Sequence, residues 1–149
     1  MEATYRPYTR PHKPASSHTS PRPQVNFTAS AIDAHEKGLS LDDLVIRHPA
    51  ATFFFRAQGD AMKPAGIHSG DVLTVDRSLT PRVGDVVVAS IEGELVVRYF
   101  TRVRGTYYLV SEDPAYPPFA LTPDTDHTIW GVVTWSHHSY RFTEPLSIR

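Results

Sequence analysis

No cysteine occurs in the chain, which removes disulfides, thiolate metal ligands and a cysteine nucleophile at once. Lysine is nearly as scarce, with Lys13, Lys37 and Lys63 the full set. Neither charge dominates: the formal net charge is -1. Direct, sequence-specific DNA binding is therefore not expected, because phosphate neutralisation needs clustered Lys and Arg. Contact with DNA through a partner stays open. No apolar run approaches the length of a membrane span, and the N-terminus has no signal-peptide stretch. A soluble, cytoplasmic protein is the expectation. No acidic residue falls between Ala3 and Ile32, although Arg6, Arg10, Lys13 and Arg22 lie there.

What is present suits one domain with an arm. The 149 residues are 40% hydrophobic and 21% charged, close to globular averages. Residues 1–26 carry Pro7, Pro11, Pro14, Pro21 and Pro23 among Ser, Thr, Arg and His. Such a stretch buries too little apolar surface to offset the entropy of ordering it. Residues 1–38 are accordingly expected to form a disordered, flexible arm, either a solvated tail or a regulatory segment that docks on the domain or a partner. The folded domain is expected over 39–142, with a tail over 143–149.

A short helix should open the domain. Ser40 and Asp43 form a Ser-x-x-Asp start, Asp42 adds an acid in the first turn, and Pro49 stops the helix. Leu41, Leu44, Val45 and His48 share one face at helical spacing. Beyond it the pattern is strands, at Thr52–Ala57, Asp71–Asp76, Asp85–Ile91, Glu94–Val103, Thr106–Ser111 and His127–Ser136. Glu92-Gly93 and Arg104-Gly105 read as tight hairpin turns. The fold class is mainly β, a single curled sheet. No metal site or cofactor is expected: His68, His127, His137 and His138 show no ligand spacing on one element, and adjacent His137 and His138 would point to opposite faces of a strand. Ser69 and Ser78 read as ordinary turn residues.

Two stretches carry a resemblance. Gln58-Gly59-Asp60-Ala61-Met62 follows an apolar strand, and Gly70-Asp71 opens the next. Gly84-Asp85-Val86-Val87-Val88-Ala89 then leads through Glu92-Gly93 to Leu95-Val96-Val97-Arg98. This order resembles the UmuD and LexA branch of the Ser-Lys self-cleaving peptidases (peptidase S24), which reads Gly-Asp-Ser-Met, two Gly-Asp strands, a Gly hairpin and a Lys. The similarity runs from about Leu39 to about Val133. Arg47–Phe53 and Asp113–Tyr116 look more like UmuD than LexA, and Trp130-Gly131-Val132-Val133 matches the family's last strand. The resemblance implies a LexA/signal-peptidase-like β domain in which Gly59, Asp60 and Met62 shape the nucleophile turn.

The departures are chemical. The family's nucleophilic Ser is matched by Ala61, which has no nucleophilic atom. Its general-base Lys is matched by Arg98. A buried Lys can lose its proton and act as a base, whereas a guanidinium stays protonated. UmuD-like chains are cut in the arm at a small residue followed by Gly, and aligning Phe27 and Leu41 places Val25-Asn26 there. Neither residue fits a crowded cleft as Gly does.

The resemblance therefore implies a non-cleaving, non-enzymatic UmuD-like accessory subunit of an SOS error-prone translesion polymerase. Its implied partners are a second copy, a cleavable UmuD in a heterodimer, a UmuC-type Y-family DNA polymerase and the RecA filament. Phe53, Phe54, Phe55, Trp130, Val132 and Trp135 are expected in edge-prone strands that a homodimer would cover, or else to fill the core. Two alternatives stand beside this reading. One is a working Ser-Lys self-peptidase in which Ala61 and Arg98 are engineered replacements; the other is a LexA-like repressor partner.

Overall fold

The computed structural model describes residues 3–7, as backbone, and residues 40–141. Ser40 begins the domain as a helix cap, its hydroxyl accepting the Asp43 backbone N–H at 3.2 Å. The helix α1 is one turn long, Leu41–Val45, and Ile46 closes it. Val45 and Ile46 are buried while Leu41 and Leu44 are exposed. The apolar face is thus narrower than the expected four-residue stripe. His48 lies past the helix, at the head of a 3-10 turn over Pro49–Ala51.

Eight strands make one sheet: β1 Ala3–Pro7, β2 Thr52–Ala57, β3 Val72–Asp76, β4 Val86–Ile91, β5 Glu94–Val103, β6 Thr106–Val110, β7 Phe119–Leu121 and β8 His127–His137. Their order is β1-β2-β3-β8-β4-β5-β6-β7, and every neighbouring pair is antiparallel. Among the described residues the fold is therefore mainly β with one short α-helix, as expected. The turns behave as their residues require. Glu92 and Gly93 take φ of 50° and 86°, and Arg104 and Gly105 take 48° and 89°, the left-handed pairs that match hairpin twist.

Strand β8 joins the two halves of the sheet, between β3 and β4. Its register shifts against Thr74/Val75 on one side and against Val88/Ala89 on the other. Such bulges bend a strand and raise its twist, which curls the sheet at its centre. This position corrects one expectation: Trp130, Val132 and Trp135 lie on a central strand and not at an edge. Phe53, Phe54 and Phe55 lie on β2, whose outer side pairs with β1.

Alternation along β4 and β5 sorts the core into two clusters. Val88 and Val97 join Phe55, Ala57, Met62, Ile67, Leu73 and Val75. Val87, Ala89 and Val96 join Phe100, Leu109 and Val132 on the other face. Strand β7 and strand β1 add to the expected set, and no helix among the described residues is long and apolar enough to cross a membrane.

Candidate functional site

The turn after β2 is held by backbone hydrogen bonds. Gly70 N–H donates to Ala57 C=O at 2.7 Å, and Ala57 N–H donates to Asp71 C=O at 2.8 Å. Within the enclosed segment Gly59 takes φ of 81°, where a Cβ would be strained, and its N–H donates to Ser69 Oγ at 3.2 Å. The Asp60 carbonyl accepts Lys63 N–H at 3.0 Å, with the Asp60 side chain exposed. Ala61 and Met62 are fully buried, and Met62 belongs to the first core cluster. Gly59, Asp60 and Met62 all lie in this turn.

Arg98 sits in the middle of β5 opposite Val87 and is buried to 7% exposure. Alternation places it on the face of Val96 and Phe100. Its Nη1 donates to the Val97 carbonyl at 2.8 Å, and its guanidinium carbon lies 4.9 Å from the centre of the Tyr116 ring. Burial pulls its pKa below the usual guanidinium value, and Tyr116 acts in the opposite direction. The aromatic face and the carbonyl compensate a cation that burial would otherwise leave costly.

One loop connects the two positions. Ser111 Oγ donates to the Ala61 carbonyl at 2.5 Å and accepts Asp113 N–H at 3.0 Å. The loop then turns so that Tyr116 N–H reaches Asp113 C=O at 3.0 Å, and the Tyr116 ring lies against Arg98. Ala61 and Arg98 are therefore both fixed by residues 111–116. Neither offers a nucleophile or a proton acceptor. Ser111, the nearby hydroxyl, spends its proton on the Ala61 carbonyl. Val25 and Asn26, the expected counterpart of the cut site, lie outside the described residues.

Two further polar groupings bring together residues from different elements. At the end of β3, Asp76 accepts Ser78 Oγ at 2.6 Å and Ser78 N–H at 2.8 Å, with His48 Nδ1 at 2.6 Å. At its start, His68, Asp71 and His138 bring their ligand atoms within 4.8 Å of one another. The expectation of no metal cluster rested on spacing within single elements; these residues meet through the pairing of β3 with β8, where Val72 faces His137.

The fold and this pair of buried positions define a domain of the LexA and UmuD type. The chain belongs to the peptidase S24-like family, which it matches over residues 20–134. That span starts earlier than the resemblance from about Leu39 and takes in part of the arm. Among curated relatives, it is 42% identical to Protein SamA of Salmonella typhimurium over 120 residues, covering 80% of this chain and 83% of that protein. It is 40% identical to Protein ImpA of Salmonella typhimurium over 141 residues, covering 90% and 95%. A LexA repressor from Shewanella woodyi is 40% identical over 74 residues, half of this chain and 36% of that protein. The near full-length similarity is thus to the UmuD-like relatives.

Proposed function

We propose that the protein is a non-cleaving UmuD-like subunit acting in SOS mutagenesis as a binding partner of an error-prone polymerase. The observation that carries the reading is the pair Ala61 and Arg98, both buried, at the positions where the family resemblance expects a nucleophilic Ser and a basic Lys. A methyl group cannot attack a carbonyl, and a guanidinium cannot take the proton. The fully buried Ala61 and the Arg98–Tyr116 contact support a site devoted to packing. In this role the protein binds through its surface: to a second copy, to a cleavable UmuD, and to a UmuC-type Y-family polymerase. The relatives SamA and ImpA, matched over most of their length, support the UmuD-like assignment.

Mass spectrometry of the purified protein after long alkaline incubation, with and without an activated RecA filament, tests the chemical half. Alkaline pH favours a Ser-Lys dyad because its Lys is then more fully deprotonated. Only the intact chain is expected. Ala61→Ser alone is expected to remain intact as well, because Arg98 cannot act as base. A product ending near Val25 in either protein overturns the reading. Affinity capture from DNA-damaged cells tests the binding half, with a Y-family polymerase or a UmuD-like chain expected on the bait.

A further inference from the structure

We propose that His68, Asp71 and His138 form a binding site for a zinc-class divalent cation, independent of the Ala61 and Arg98 positions. Asp71 is buried to 1% exposure, and each of its oxygens is already oriented. Oδ2 accepts the His68 backbone N–H at 2.8 Å and Ser136 Oγ at 3.2 Å. Oδ1 faces His138 Nδ1 at 2.5 Å. Hydrogen bonds of this kind hold metal-ligating carboxylates in place.

Hydrogen bonding alone accounts for His138 but not for His68. His68 Nδ1 is buried and has no hydrogen-bond partner. It lies 3.8 Å from Asp71 Oδ2, beyond hydrogen-bond range, while the ring centroid is 4.9 Å from that of His138, the rings tilted by 49°. A buried ring nitrogen without a hydrogen-bond partner, 3.8 Å from a buried carboxylate, calls for a cation or a water. Two imidazoles with one carboxylate suit zinc and its neighbours; hard cations take oxygen ligands instead.

The geometry needs side-chain rotation to close on an ion. Bonds of about 2.0–2.2 Å to a tetrahedral ion put the ligand atoms roughly 3.3–3.5 Å apart. The 2.5 Å contact between His138 Nδ1 and Asp71 Oδ1 would open, and the three ligand atoms, now within 4.8 Å of one another, would draw together on the His68 side. Both rings can turn, since the His68 and His138 side chains are 43% and 38% exposed. The ion would take the place of the hydrogen between His138 Nδ1 and Asp71 Oδ1, and because only an unprotonated ring nitrogen ligates a metal, binding weakens in acid. Bound there, the ion would join the turn before β3 to the residue just past β8. Ser69, in that same turn, accepts the Gly59 N–H, so the clamp would stiffen the segment carrying Ala61.

Calorimetric titration of the full-length protein with zinc at about pH 7.5 tests the site. Cobalt(II) serves as a second probe, since tetrahedral cobalt absorbs strongly in the visible. One tight ion per chain is expected, with an affinity that falls at lower pH. His68→Ala and His138→Ala should each weaken binding at least about tenfold. His127→Ala should not, because His127 is engaged with Thr125 elsewhere. Should an alanine variant fold poorly, His68→Gln keeps a polar side chain and should show the same loss. Equal binding by the wild type and a His68→Ala/His138→Ala double variant would overturn the proposal. So would an absence of measurable binding by the wild type.

Discussion

A methyl group added at Gly131 has nowhere to go. A Cβ there would stand 2.8 Å from Val75 Cγ1 and 2.9 Å from the Asp76 carbonyl oxygen. The second contact is with backbone and cannot be relieved by a rotamer change. Gly131 sits beside the bulge where β8 crosses from β3 to β4, so the strands must separate locally to admit it. Gly131→Ala is expected to cost about 1–3 kcal/mol, as overpacking does. A urea titration would show the midpoint fall with an unchanged slope. An unmoved midpoint would mean that β8 yields more easily than its central position implies. The same strictness operates at Arg98. A guanidinium buried on β5 persists because the Val97 carbonyl and the Tyr116 ring receive it. Residue identity at these positions was legible from the sequence; the receiving groups were not, because they come from a loop in no register with β5.

Among the elements, β3 is anchored at both ends by buried carboxylates. Burial raises the Asp76 pKa, but the Ser78 hydroxyl, His48 and the Ser78 N–H outweigh it, and the net shift is downward. A carboxyl with a lowered folded pKa adds stability above its unfolded value, near 4, and loses it as pH falls through the folded value. Asp76→Asn should therefore be less stable than the wild type at neutral pH. The gap should narrow as pH drops below about 4. Thermal melts of both proteins from neutral pH into acid would check this, and a gap that stays constant would remove Asp76 ionisation as the cause. Most elements could be read from the chain: Ser40 and Asp43 marked α1, and the two Gly hairpins marked the β4–β5 and β5–β6 turns. Two strands could not. β7 has only three residues, between Pro118 and Pro123, too short for an alternating pattern. β1 lies in a Pro-rich segment whose composition argues against structure; only its pairing with β2 makes it a strand. The His68, Asp71 and His138 cluster was hidden for a related reason: strand pairing, and not sequence spacing, brings it together.

At the scale of the whole molecule, the buried residues of both core clusters run, among the described residues, from Phe55 onward. A fragment lacking residues 1–38 should therefore still fold and melt cooperatively. It should also lose β1 and leave the outer side of β2 unpaired. The sequence there, Thr-Phe-Phe-Phe-Arg-Ala, has high β-propensity and no proline to discourage pairing. Sedimentation at micromolar concentration is expected to show larger species for the fragment than for the intact chain. A fragment that sediments like the intact chain would mean that β2 needs no cover.

The β1–β2 pairing has a kinetic side as well. Because β1 belongs to the same chain as the strand it covers, it competes at an effective local concentration set by the length of the chain between them. A strand offered by another chain must displace a neighbour that dilution cannot remove. Severing the backbone anywhere between Pro7 and Thr52 would turn that permanent neighbour into an ordinary ligand, free to leave. The edge would then be open to whichever strand is most abundant.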